Sequence, residues 1–231
     1  MCQVVKSKLV GFGEAKEIVE KINGINIPGL GDKKNLVDAS YDDLNLLFVA
    51  FNYQDKNALK EAISFMNDKS NPYNRVIAIV LNCDKNPAKE LEGSADLFYT
   101  SNRDIEYGEE DLLNIYKSVL SIVNTSTLIN IDYNDFCTVT GYKQELIVGT
   151  GEAIGAYRAN KAAEMAVSKL GNRNITDILV SVSANESISL IEISRAIDVI
   201  RDNLGGDINI LFGTAVDANM NSFRVTILAS V

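Results

Sequence analysis

Three polar side chains that could activate a water molecule lie within six residues of one another. They are Asn130, Asp132 and Asp135, an amide and two carboxylates. Together they could orient and polarise a water for attack on a phosphate without help from histidine. The same residue types also start helices, so the alternative is that Asp132 or Asn134 caps a short helix beginning near Asp135. Residue types alone leave both interpretations open.

Two glycines near the N-terminus form a second candidate site. Gly11 and Gly13 stand between an expected strand over 4–10 and an expected helix over 14–23. In a strand, glycine turn and helix of this kind, backbone N–H groups can face a phosphate. Glu14 and Glu17 would repel such an anion at close range. These residues therefore favour a tight strand-to-helix turn over a phosphate site.

The composition excludes several classes of chemistry. The chain has no histidine, which removes histidine-based acid–base catalysis, catalytic triads and most zinc sites. Its three cysteines are odd in number and widely scattered, which is typical of reduced thiols and not of a disulfide framework. We therefore expect no metal site and a cytoplasmic location.

The charge and hydropathy patterns narrow the choice of partners. With 22 basic and 31 acidic residues the net charge is -9, whereas nucleic-acid binders present basic patches. No apolar run approaches the roughly 18 residues that span a membrane. We therefore expect neither a nucleic-acid partner nor direct membrane binding.

The first half of the chain alternates apolar strands with helices. Strands are expected over 25–32, 44–51, 75–82 and 95–99. This alternation predicts βαβ units in a parallel, Rossmann-like sheet. The polar segment 52–57, which includes Asn52, precedes a helix expected over 58–67, and we interpret it as a helix start capped by Asp55 or Asn57.

The second half predicts a long helix followed by an α+β unit. The helix covers 109–123 and carries acids, including Glu110, in its first turn. After the apolar strand 146–148, Gly149 to Gly151 is interpreted as a turn before a helix that begins near Gly155. A strand over 175–183 and a helix over 187–203 follow. The last two strands, 207–213 and 223–231, are expected to be antiparallel neighbours.

Several of these motifs resemble FtsZ, the bacterial relative of tubulin. The stretch from Asn130 to Asp135 is similar to the NxDxxD loop of that family. Gly149, Gly151 and Ala153, with Arg158 and the alanines after it, resemble its G-x-G-x-A…R-A-x-x-A-A-x-x-A pattern. The closing segments, 213–217 and 224–226, also resemble that family. The resemblance is dense over 126–231 and only architectural over 1–125.

The resemblance implies a fold and a role for the acidic loop. It implies an α/β architecture with a Rossmann-like domain over 1–108, a central helix over 109–125 and an α+β domain over 126–231. In FtsZ this loop enters the nucleotide pocket of the next subunit and activates GTP hydrolysis there. By resemblance, Asn130, Asp132 and Asp135 would act on the nucleotide of a neighbouring subunit.

The nucleotide-binding motifs of FtsZ are changed in this chain. Where the family has the phosphate loop GGGTGTG, segment 52–57 contains no glycine. Where it has an Asn-Asp pair for guanine, the central helix carries Glu109 and Glu110. If nucleotide binding is retained, Gly11, Gly13, Asn52 and Glu110 would be the groups that hold it.

The main functional hypothesis is an FtsZ-like pseudo-GTPase without a cofactor. It would associate with, regulate or cap FtsZ-type filaments, or pair head to tail with itself, through the acidic loop. One alternative is a divergent GTPase that binds GTP or GDP with Mg²⁺ and hydrolyses GTP on self-assembly. Another is a Rossmann-like small-ligand module or a non-enzymatic scaffold. The sequence ends directly after the last strand, where FtsZ continues into a linker and a partner-binding peptide, so the usual route to the membrane is expected to be missing.

Overall fold

The computed structural model describes residues 5–24, 44–68, 73–124, 129, 131–141, 144–205 and 207–231. They form two compact units, which divide within one long helix. The N-terminal unit comprises the described part of 3–117 with 144–145, and the C-terminal unit comprises that of 118–141 and 146–231.

The N-terminal unit is built on a four-stranded parallel sheet. Its elements are β1 (Ser7–Phe12), α1 (Ala15–Gly24), β2 (Leu44–Asn52), α2 (Lys56–Met66), β3 (Tyr73–Leu81), α3 (Ala88–Leu91), β4 (Leu97–Thr100) and the first part of α4 (Gly108–Asn124), preceded by a 3-10 turn over Ile105–Tyr107. The strand order is β1-β2-β3-β4, and each neighbouring pair is parallel. The predicted Rossmann-like parallel sheet is confirmed, while the strand expected over 25–32 lies outside the described residues.

Continuous apolar runs explain why this sheet is buried. Every residue from Leu46 to Phe51 in β2 is fully buried, and so are most of those in β3. Near-continuous apolar strands are typical of parallel sheets covered on both faces. The amphipathic helix α2 covers one side with Ala58, Leu59, Ala62 and Met66.

The C-terminal unit is built on a mixed sheet. It contains the end of α4, α5 (Tyr133–Thr140), β5 (Leu146–Ala153), α6 (Arg158–Ser168), β6 (Asp177–Ala184), α7 (Leu190–Leu204), β7 (Asn209–Val216) and β8 (Phe223–Ser230). The strand order is β5-β8-β6-β7, with β8 antiparallel to β5 and β6, and β7 parallel to β6. The two units together confirm the predicted α/β class with an α+β C-terminal part.

The expected antiparallel pairing of the last two strands is wrong. β7 and β8 are separated by β6 in the sheet. Burial explains the order, because all but one residue of β8 is buried whereas β7 exposes Asn209, Leu211 and Val216. A strand that is apolar on both faces gains most at the centre of a sheet, and the more exposed strand stays at the edge.

The expected glycine turn at 149–151 is also wrong. Gly149 and Gly151 lie inside β5, opposite Ile227 and Val225 of β8. A Cβ added to Gly149 would collide with the carbonyl oxygen of Ala166, and one added to Gly151 with that of Ala162. The glycines therefore let the alanine face of α6 pack directly on the strand, and α6 begins at Arg158 and not near Gly155.

An ion pair joins the starts of α6 and α7. The Arg158 guanidinium contacts the Glu192 carboxylate with an Nε–Oε1 distance of 2.7 Å, and both side chains are largely buried. Glu192 also forms a capping box with Ser189 at the start of α7. Hydrogen bonds from Arg158, and secondarily from Ser189, lower the pKa of Glu192.

We predict that Gly151→Ala destabilises the protein by about 1–3 kcal/mol, because the added methyl group must push α6 away from β5. The neighbouring Thr150→Val is the matched control, since its side chain points to the other face of the sheet. The Thr150 hydroxyl is buried without a hydrogen-bond partner among the described residues, so its loss should cost little. Urea unfolding measures both variants, and equal effects would contradict the packing explanation.

We predict a pH-dependent effect of Glu192→Gln. Gln keeps the capping box and removes the charge, so the free energy of unfolding at pH 7 should fall by about 1 kcal/mol. Because the folded pKa is lowered, the ion pair contributes fully above the unfolded value near 4.3 and is lost as the pH falls through the folded pKa. Urea unfolding between pH 7 and pH 3 should therefore show the wild-type advantage disappearing. The exposed neighbour Glu186→Gln is the control, and a pH-independent loss would count against the ion pair.

Candidate functional site

The acidic loop of the C-terminal unit forms the start of α5. Asp135 N donates to Asp132 Oδ1 and Asp132 N donates to Asp135 Oδ2, each at 2.9 Å, which makes a reciprocal capping box. The interpretation of Asp132 as a helix cap is confirmed. The third member of the motif, Asn130, lies outside the described residues.

The residues around these acids hold them at the surface. Ile131 and Phe136 are buried on either side of the box, while Asp132 is exposed and Asp135 is half-buried. Ahead of the box, Thr214 N donates to Ile129 O at 3.0 Å, which attaches the chain to β7. A Cβ on Gly213 would lie 2.9 Å from that same carbonyl oxygen, so a glycine is needed for this close approach.

Each carboxylate of the box has one oxygen left over. The box uses Oδ1 of Asp132 and Oδ2 of Asp135, and the other oxygens make no hydrogen bond to a described residue. Ionised carboxylate oxygens are acceptors only. The loop thus combines a capped helix start with one acceptor oxygen on the exposed Asp132 and one on the half-buried Asp135, which could position a water.

The other candidate residues lie in the N-terminal unit, where parallel strands end. Open α/β sheets bind ligands at the carboxyl ends of their strands, at a switch point in strand order. The described strands of this sheet follow one another in sequence order, so they contain no such switch point. Asn52, at the end of β2, donates from Nδ2 to Glu14 Oε2 at 2.7 Å and accepts from Gln54 N at 3.0 Å. Its side chain is therefore bound to its own neighbours.

The start of α2 is capped as the sequence predicts. Asp55 Oδ1 accepts from Asn57 N at 3.0 Å and from Ala58 N at 3.1 Å. Its other oxygen faces the first turn, because a Cβ on Gly13 would lie 2.7 Å from Asp55 Oδ2. The Asp55 carboxylate therefore lies between the turn after β1 and the N–H groups of α2.

Packing also explains the two N-terminal glycines. Gly11 lies in β1 and not in a loop, and an added Cβ would lie 2.5 Å from Ala15 O at the start of α1. Gly13 has a φ of 58°, a left-handed conformation that glycine adopts without strain. The arrangement is that of the tight turn that the sequence favours.

Glu110 is paired with an arginine that sequence reasoning did not select. Arg103, in the loop after β4, contacts Glu110 Oε2 through Nη2 and Asp111 Oδ1 through Nη1, both at 2.7 Å. The Ser101 hydroxyl donates to the other oxygen of Asp111. The Glu110 hydrogen bond, more than any other interaction, raises the pKa of Arg103. An arginine between a strand end and the acidic first turn of a helix was the available signal for this cluster.

The polar loop after β2 is also held by a tyrosine. Tyr53 is buried, and its hydroxyl donates to Glu90 Oε1 at 2.9 Å. That hydrogen bond, with burial, raises the pKa of Tyr53 to about 12. The Lys56 ammonium lies 4.3 Å from the centre of the Tyr53 ring. These contacts pin the loop to the protein through a bulky side chain.

Within the described part of the chain, no group of three histidine, cysteine, aspartate or glutamate residues could hold a metal ion. None of its helices is long and apolar enough to cross a membrane.

Comparison with known proteins agrees with this architecture. Residues 145–231 match the model of the FtsZ family, C-terminal domain. The cell division protein FtsZ of Magnetospirillum gryphiswaldense is 31% identical over 120 residues, which are 49% of this chain and 21% of that protein. The mitochondrial division protein fszB of Dictyostelium discoideum is 31% identical over 109 residues, 45% of this chain and 30% of that protein. The matched segments thus span less than a third of the length of these two relatives.

Solved structures show the same fold over nearly the whole chain. An FtsZ dimer from M. jannaschii has a TM-score of 0.74 at 17% identity, and the match covers 99% of this chain and 88% of the FtsZ chain. The GDP-bound CetZ1 monomer of Haloferax volcanii has a TM-score of 0.65 at 12% identity, and the match covers 98% of this chain and 94% of the CetZ1 chain. By sequence, the C-terminal part of this chain resembles the C-terminal domain of the FtsZ family, and by fold almost its full length resembles FtsZ and CetZ.

Proposed function

We propose that this chain is an FtsZ-like pseudo-GTPase that associates with FtsZ-type filaments and regulates or caps them through its acidic loop. The observation that carries the proposal is the position of the Asp55 carboxylate at the start of α2. It accepts from the two backbone N–H groups that an anion at this helix start would need.

The phosphate end of a nucleotide does not fit these residues. A phosphate at the start of α2 would have to displace a carboxylate that is covalently part of the turn. Glu14 and Asp55 also place carboxylates at this edge, and like charges at close range repel. Tyr53 and Gln54 place bulky side chains where a phosphate loop needs glycine.

The residues that would contact the base of a nucleotide are also engaged within the protein. The carboxylate of Glu110, which the resemblance assigns to guanine, is engaged by Arg103. Asn52 is engaged by Glu14 and Gln54. We therefore assign no GTP, GDP or Mg²⁺ to this chain, and no step of hydrolysis to its own N-terminal unit.

The acidic loop has the carboxylates that would be needed to act on the nucleotide of a partner subunit. Asp132 and Asp135 lie at a helix start that is closed by its own capping box, and Asp132 is exposed while Asp135 is half-buried. In a head-to-tail contact the two faces of a subunit differ, so a chain can keep one face and lose the other. A chain with the loop alone would bind the nucleotide-bearing end of a filament and stop further addition there.

The solved structures with the same fold support a partner of the filament-forming kind. One of them is an FtsZ dimer, and another is the GDP-form protofilament of TubZ from Bacillus thuringiensis. We propose an FtsZ-type filament subunit as the partner, with a second copy of this chain as the alternative. Likeness to the GDP-bound CetZ1 monomer favours a second candidate function, a divergent GTPase with a rebuilt pocket.

The proposal predicts that this chain alone does not bind a guanine nucleotide. Calorimetric titration with GTP and GDP, with and without Mg²⁺, should give no saturable binding up to millimolar concentrations, because the helix N–H groups are already satisfied. An active FtsZ titrated in parallel is the positive control. Micromolar affinity for either nucleotide would contradict the pseudo-GTPase proposal and support the second candidate.

The proposal also predicts an effect of the acidic loop on FtsZ. Added substoichiometrically to an FtsZ, the wild-type chain should change GTP turnover and the amount of pelleted polymer. The double variant Asp132→Asn/Asp135→Asn should need at least about tenfold more protein for the same effect. Asn can still accept the capping hydrogen bonds, so the variant removes the charge and keeps the helix start.

The matched control for this experiment is Ser189→Ala. It breaks the capping box of α7, at a cost of about 1 kcal/mol, and leaves the acidic loop intact. It should keep the full effect on FtsZ. A wild-type chain that neither joins the polymer nor changes turnover would refute the filament role, and so would a double variant as active as the wild type.

A further inference from the structure

The first turn of α4 carries two adjacent carboxylates in different surroundings. The Glu110 side chain is 73% exposed, whereas the Asp111 side chain is only 10% exposed. A charge that is this well buried is unfavourable unless it is paired and hydrogen-bonded. The pair lies near the end of β4, because Ser101, the first residue after this strand, is hydrogen-bonded to Asp111.

Arg103 satisfies both acids with a single planar group. Its two terminal nitrogens each contact a different carboxylate at 2.7 Å. The guanidinium also lies over the Tyr107 ring, 4.4 Å from its centre. Two N–H donors in one plane, stacked on an aromatic face, are the features with which an arginine fork matches carboxylates.

The loop that carries Arg103 is folded around the same cluster. The Ser101 hydroxyl donates to Asp111 and accepts from Arg103 N, the latter at 3.3 Å. Cys83 N donates to Ser101 O at 2.7 Å, which fixes the beginning of the loop to the end of β3. These hydrogen bonds hold the short loop in place, so little further conformational entropy is lost when the guanidinium pairs with the two acids.

We propose that Arg103 is a built-in occupant of a site for planar N–H donor groups, formed by Glu110, Asp111 and the Tyr107 ring. The edge of guanine that bears N1–H and N2–H has the same donor fork as a guanidinium, so a free base would have to compete with a group attached to the chain. Attachment through a short loop gives Arg103 a millimolar or higher effective concentration. This inference deepens the loss of nucleotide binding in the proposed function and rests on it, because it names the group that closes the base end.

The test uses the full chain and needs no filament. Arg103→Ala should lower the melting temperature by about 5 °C, because Asp111 loses its charged partner. Methylguanidinium chloride at tens of millimolar should restore at least half of that loss saturably. Methylammonium chloride at equal concentration, which has the charge without the fork, should restore none. The wild type should gain nothing from either salt, since its site is filled.

Two further variants separate the site from a merely structural ion pair. Adding Asp111→Asn to Arg103→Ala should abolish the response to methylguanidinium, because the buried carboxylate is gone. If Arg103→Ala does not fold, Arg103→Gln, which is uncharged and of similar length, takes its place. A folded variant that responds no more than the wild type would overturn the proposal. Stabilisation of the wild type by guanosine as strong as that of the variant would overturn it too. Both readouts come from this chain alone, so they stand apart from the outcome of the filament assays.

Discussion

The N–H groups at the start of a helix need an acceptor, and at α2 and α5 acidic side chains of the chain itself supply it. Asp55 caps α2, and Asp132 and Asp135 cap α5 reciprocally, whereas at α7 the Ser189 hydroxyl accepts from the helix and Glu192 accepts from Ser189 N. These helix starts determine where each functional loop begins and how it leaves the sheet. Because helix starts are also where proteins bind anions, the choice between a side-chain carboxylate and an external phosphate decides what each loop can bind.

Capping by a carboxylate has different consequences in the two units. In the N-terminal unit the half-buried Asp55 lies between two turns, with Oδ1 on two N–H groups of α2 and Oδ2 toward Gly13. In the C-terminal unit the capping box uses one oxygen from each of the exposed Asp132 and the half-buried Asp135. The first carboxylate occupies the N–H groups that an external anion would need, whereas the second pair leaves one oxygen of each acid outside the box. Our proposed function, a filament partner that does not itself use GTP, depends on this difference.

The corrections to the sequence-based expectations share a physical origin. Gly149 and Gly151 suggested a turn, but the space they leave is filled by the alanine face of α6, a contact between segments that are distant in the chain. The last two strands suggested a hairpin, but β8 is buried at all but one residue and takes a central place in the sheet, where β6 separates it from β7. Arg103 was not selected from the sequence, although it forms an ion pair with a buried carboxylate eight positions later. In each case the deciding partner lies on another element.

What the sequence determined by itself is local. Apolar runs predicted the strands, and the acids at 55 and 132 predicted helix caps, because periodicity and capping depend on neighbours along the chain. The residues around the NxDxxD motif indicated the resemblance to FtsZ. Tertiary structure alone decided the strand order, the close packing of α6 on β5 and the pairing of Arg103 with Glu110 and Asp111. Those features depend on which surfaces meet and which charges are buried together, and residue spacing along the chain does not encode such contacts.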